Sequence, residues 1–278
     1  MSENSRMARY HSDEPENSQQ QPQEPQQTYQ RRPALARWVA ILVMLFTLSI
    51  GLKVTVFNAN YTAGVVSRST VGQKVINQLN NELEGLGVSG SPVTSGIVQP
   101  YLAQGISQLY GETATTTIDN SELTTAISTQ AQTMGVTATA GMTTALVKEA
   151  KKVVKAAFST TAMTQASLKI QKARTLDFWL MIATVLLAIV TVMYAFSVHH
   201  VMASLGPGLA LGGLLTGILG DVGYYLLPSL IPTSTATVTS MITTVGRSGI
   251  GVIIFAGVAE IVLGLLVMLG HRTFRKDS

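Results

Sequence analysis

The apolar and polar positions of this chain fall into blocks, and the blocks predict its elements. Four long apolar runs are separated by one long polar stretch and by shorter connections. A run of about 20 apolar residues is what a helix needs to cross a hydrocarbon core about 30 Å thick. The runs at 38–57, 178–198, 203–227 and 249–269 each meet that length and predict four transmembrane helices. Residues 1–34 are polar, rich in Gln and Pro and without apolar periodicity, which predicts a disordered tail. Residues 228–248 read as a Thr/Ser-rich loop and 270–278 as a second short tail.

The polar stretch, 58–176, carries helical rather than strand periodicity. Val71, Val75, Ile76, Leu79, Leu83 and Leu86 recur three and four apart, one face of a helix that Gly85 and Gly87 can close. Pro100 predicts the first turn of a second helix bearing Leu102, Ile106 and Leu109, with Gly111 at its end. A third helix is expected from Asn120 to Gly135. A fourth, through Met142, Leu146, Val153, Val154 and Phe158, could continue past Ile170 into the second span. The Thr-rich pieces Thr113 to Ile118 and Val136 to Thr139 could instead be short strands. The expected fold is therefore an all-α membrane protein, four transmembrane helices with a mainly helical domain between the first and second.

Composition fits this class. The 278 residues are 46% hydrophobic and only 12% charged, and the mean hydropathy is +0.31. Cysteine is absent, which excludes disulfides, Cys-ligated zinc and thiol chemistry. The net charge of +4 comes with no aromatic and basic reading motif, so no nucleic-acid partner is expected. Arg31, Arg32 and Arg37 before the first run suggest an uncleaved signal anchor, because Asn58-Ala59-Asn60 makes a poor cleavage site. Together with Arg272, Arg275 and Lys276 they favour cytoplasmic termini and an extracytoplasmic domain, although Arg68, Lys169, Lys172, Arg174 and Arg247 oppose them near the other ends of the spans.

Three groups of residues are candidates for chemistry or assembly. Gly208/Gly212 and Gly213/Gly217 in the third span have small-xxx-small spacing, and Gly257 and Gly264 flank Glu260 in the fourth; these glycines are expected to pack helices. Glu260 and Asp221 are acids at membrane depth, where burial is costly enough to make them functional candidates. Residue counting puts Lys53 level with Asp221, an expected ion pair, and leaves Glu260 to a hydroxyl such as Thr47, Thr216 or Thr191. Finally, Lys148, Lys151, Lys152, Lys155, Lys169, Lys172 and Arg174 face Glu149 alone, which reads first as a solvated helix face near the membrane and second as a candidate surface for anionic headgroups or an envelope polymer. His199 and His200 lack the further ligands of a metal site. No GxSxG, HExxH or GxxxxGK[ST] motif occurs, and neither catalytic residues nor a cofactor is expected.

The segments Asn60-Tyr61-Thr62-Ala63, VGQKVINQLNNELEGLGV and IVQPYLAQGISQLYG resemble those of uncharacterised Gram-positive, lactobacillus-type four-span integral membrane proteins. The resemblance implies a helical extracytoplasmic domain and no particular activity. The expected function is non-enzymatic: a cell-membrane protein displaying its domain for sensing, scaffolding or binding another envelope component, with the bilayer and a second copy of the chain as further partners. The alternative is a small transport or channel component using Glu260 and Asp221.

Overall fold

The computed structural model describes residues 33–112, 118–197, 201–230 and 236–274. Among the described residues every regular element is an α-helix: α1 (Pro33–Val54), α2 (Ala59–Ser67), α3 (Thr70–Gly85), α4 (Ser95–Leu109), α5 (Ser121–Thr133), α6 (Ala140–Phe158), α7 (Thr161–Ser197), α8 (Val201–Leu230) and α9 (Ala236–Phe274). Four stretches, Ala34–Val54, Thr161–Ser197, Ser204–Ser229 and Val238–Gly270, are long and apolar enough to cross a membrane. The chain is thus a multi-pass membrane protein by length and composition. Residues 1–32 of the expected tail, residues 113–117 of the strand candidate at 113–118, His199, His200 and the end of the chain beyond 274 lie outside the described residues, while Pro33 and Ala34 open α1.

Two of the membrane helices are much longer than a bilayer requires. α7 has 37 residues and α9 has 39, so each runs for roughly 55–60 Å at 1.5 Å per residue. The surplus lies at their N-terminal ends and enters the polar domain. Met163 and Ala166 of α7 and Val238, Met241 and Val245 of α9 are buried in the same core as Leu79, Leu83, Leu102, Ile106, Ile127 and Leu146. The expected loop at 228–248 is corrected by this finding. Residues 236–248 are helical, because Val238, Met241 and Val245 repeat at helical spacing and have an apolar partner to cover them.

The domain's own helices form where the apolar stripes predicted them, with shifted ends. α3 buries Val71, Val75, Ile76, Leu79 and Leu83 on one face, and Gly87 follows it with φ of +88°, a left-handed stop that costs glycine nothing. α4 starts five residues before Pro100, at Ser95, so Pro100 lies inside the helix rather than in its first turn. Burial of Tyr101, Leu102 and Ile106 holds that helix together across the missing N–H. α6 stops at Phe158 instead of running on, and Thr160 caps the next helix by accepting from the Met163 N–H at 3.3 Å. The unanticipated α2 is set by Asn58, whose side chain accepts from the Tyr61 N–H at 3.1 Å. Residues 136–139 are not a strand.

Within the membrane bundle α8 packs against both α1 and α9, while α7 lies mainly against α1. α7 leaves Phe178, Trp179, Leu186, Val190, Met193 and Phe196 exposed, a surface that lipid would cover.

Candidate functional site

α8 owes its central place to two different glycine faces. A Cβ on Gly208 would stand 2.4 Å from Val39 Cγ1, and one on Gly212 2.7 Å from Val43 Cγ1, both on α1. The opposite face meets α9 backbone to backbone. A Cβ on Gly213 would lie 2.3 Å from the Gly257 carbonyl oxygen, and one on Gly264 2.5 Å from the Ala210 nitrogen. Such an approach leaves no room for a Cβ at Gly213 or Gly264, so the backbones can meet only with glycine at these two positions. Gly217 behaves differently from its expected pair: a Cβ there would meet nothing within 4 Å. It offers only its backbone nitrogen, 3.3 Å from where a Gly257 Cβ would stand.

Glu260 is placed where these helices meet. Its Cβ would be 2.9 Å from a Cβ on Gly213, and its Oε1 accepts a hydrogen bond from the Thr47 hydroxyl of α1. The other oxygen, Oε2, is buried with no hydrogen-bond partner. Of the three hydroxyls expected as partners, only Thr47 reaches it. Thr216 turns back to the Gly212 carbonyl at 3.0 Å and Thr191 to the Leu187 carbonyl at 2.8 Å, as hydroxyls inside apolar helices commonly do.

The expected Asp221–Lys53 pair is corrected. Asp221 is exposed on α8, and the ion pairs among the described residues are Lys152–Glu149 and Arg174–Glu112. Lys53, exposed in the last turn of α1, instead lies close enough to Asp177 of α7 for the two charges to attract. Matching depth along two helices does not fix which way each residue faces, and α7 rather than α8 presents its acid to this end of α1. Asp177 is buried, its Oδ1 has no hydrogen-bond partner, and Ser49 donates to its backbone carbonyl at 3.5 Å. Its position immediately before Phe178 and Trp179, at a boundary, was the signal available in the sequence.

Asp177 belongs to a polar collar between bundle and domain. Tyr110 donates to the Val56 carbonyl at 2.5 Å and lies 3.0 Å from the Thr62 hydroxyl. Burial pushes its phenol above the ordinary value, against the opposing pull of the Thr62 hydrogen bond and the Arg174 charge. Arg174 donates to the Tyr110 carbonyl at 2.9 Å, pairs with Glu112 at 2.5 Å and stacks 5.2 Å from the Tyr110 ring centre. Tyr61 and Ser248 share a hydrogen bond of 2.7 Å between α2 and α9, and Arg247 stacks on Tyr224 at 4.9 Å.

The basic candidates therefore divide. Arg174 is committed to the collar and Lys152 to Glu149 at 3.1 Å. Lys148, Lys151, Lys155, Lys169 and Lys172 are exposed. Lys169 and Lys172 stand two to three turns before Phe178 and Trp179 on the same helix, where anionic headgroups would meet them. Among the described residues no group of three acids or histidines could hold a metal ion. Comparison of the chain with protein-family models, with curated proteins and with solved structures returns no match.

Proposed function

We propose that the protein is a non-enzymatic cell-membrane protein that displays its helical domain outside the cytoplasm for sensing, scaffolding or binding. Both termini are then cytoplasmic and α1 is an uncleaved signal anchor. The observation that carries this reading is the shared core: α7 and α9 supply side chains to the domain and continue without a break into the spans. A displayed module that hung on flexible tethers would need no such sharing. Occupancy of the domain can therefore shift the packing of the helices below it, as sensing requires.

A second reading, a small transport or channel component, is favoured by one observation: the buried, unpartnered Oε2 of Glu260 beside Thr47 at the meeting point of three helices. Asp221, exposed on α8, is not part of that cluster. Complementation of a strain lacking the gene separates the two. For a displayed module, excising residues 70–158 abolishes complementation while Glu260→Gln retains it, provided both variants reach the membrane. The opposite pattern overturns the display reading in favour of transport.

A further inference from the structure

A groove of about 520 Å³ opens on the domain where four helices meet. Its walls are Val71 and Val75 of α3, Val153 and Ala157 of α6, Met163 of α7 and Val238 of α9. This volume and apolar lining fall within the range of sites that take small molecules. The walls are helical, so their backbone groups are already paired and no strand edge is available to hold an extended peptide.

The charged lining is of one sign on balance. Lys74, Lys152 and Glu149 are its charged residues. Glu149 is spent on Lys152, whereas Lys74 is exposed and has no carboxylate partner among the described residues. The capping residue Thr160 and Met163 in the first turn of α7 also border the groove, and that turn holds no acidic residue to occupy the positive end of the 37-residue helix. An apolar trough whose lining includes an uncompensated lysine, beside a helix N-terminus, complements a flexible apolar chain with a single anionic head.

We infer that the groove between α3, α6, α7 and α9 binds a long-chain fatty acid, its acyl chain along the valine-rich walls and its carboxylate at Lys74 and the start of α7. Access is short, since α7 and α9 enter the membrane roughly 20 Å further along each helix. This inference rests on the binding reading proposed above and names its ligand class. Because it predicts an occupant for a groove that two membrane helices help to line, it also places ligand contact on the elements that carry the shared core.

The test uses the full chain in nanodiscs of phosphatidylcholine and a palmitate analogue carrying a photoreactive diazirine. Saturable labelling of peptides from α3 and α6 is expected. Unlabelled palmitate should compete at least fivefold better than hexadecanol, and Lys74→Glu should lower labelling at least fivefold. Ala156→Trp, at an exposed lining position, should block the groove and abolish labelling with the helical circular dichroism unchanged. Labelling that does not saturate, or that is confined to 178–197, overturns the inference. Equal competition by hexadecanol overturns the anionic head, and displacement by an acidic helical peptide but not by palmitate gives the groove to a protein partner. The assay does not depend on which side of the membrane the domain occupies, so its failure leaves the display reading to be judged by its own experiments.

Discussion

Replacing Gly213 by alanine adds one methyl group at the closest approach of α8 and α9. That methyl would sit 2.3 Å from the Gly257 carbonyl oxygen, 2.9 Å from Glu260 Cβ and 2.9 Å from the Ile261 nitrogen. Carbon-to-oxygen contacts of this kind settle near 3.3–3.6 Å, so the helices must part by about 1 Å locally. A gap of that size forfeits about a quarter to a half of each neighbouring dispersion contact, and overpacking in well-packed interiors typically costs about 1–3 kcal/mol. Alanine also gains up to about 1 kcal/mol of helix propensity over glycine, which would mask part of the loss. Gly217→Ala removes that ambiguity, because it makes the same chemical change in the same helix where a Cβ meets nothing within 4 Å. The difference between the two variants isolates the packing cost, about 1–3 kcal/mol in favour of Gly217→Ala. Unfolding in mixed detergent and sodium dodecyl sulfate micelles, followed by far-ultraviolet circular dichroism, would measure it. If the two variants unfold at the same detergent fraction, the backbone-to-backbone account of this interface is wrong.

Three further outcomes follow from the packing and the collar. Leu79, 1% exposed in the domain core, should cost about 2–5 kcal/mol when replaced by alanine, read as a lowered midpoint of thermal unfolding. Thr47→Val removes the donor to Glu260 Oε1 and leaves that carboxyl without its partner, costing about 1–3 kcal/mol, whereas Thr47→Ser should retain most of the stability. Tyr110 ionises above its ordinary range when folded because it is buried, so its contribution to stability is full below about pH 10 and is lost as pH rises from there through the higher folded value. Tyr110→Phe should lose about 0.5–1.5 kcal/mol at neutral pH with the bond to Val56 and should flatten the alkaline decline; an unchanged decline would show that Tyr110 is not its source.

The spans were legible because a bilayer imposes a length and a composition that no connecting segment shares. The domain's stripes were legible for the same kind of reason: Val71, Val75, Leu79 and Leu83 repeat with the period of the helix that buries them. The ends of elements were less so. The apolar run begins at Trp38, five residues after α1 does, since hydropathy marks where the apolar residues begin rather than where Pro33 can open a helix. The nine residues of α2 are too few and too mixed to show a period, and the first turns of α9 hide behind threonines and serines that also suit a loop. Pairing between helices was the hardest to read. Gly213 and Gly217 look alike along the chain, yet only the first has its Cβ position filled by α9. Depth counting likewise found the level of Lys53 but not its neighbour Asp177, because rotation about a helix axis leaves no trace in residue number.

The proposed topology, with the domain outside the cytoplasm and both termini inside, can be tested directly because native cysteine is absent. Single Ser12→Cys and Thr125→Cys variants, the second at an exposed position on α5, would be exposed in intact cells to a maleimide that cannot cross the membrane. Labelling at position 125, with position 12 labelled only after the membrane is permeabilised, is the predicted result. Labelling at position 12 with position 125 protected until permeabilisation would place the domain in the cytoplasm and contradict the account.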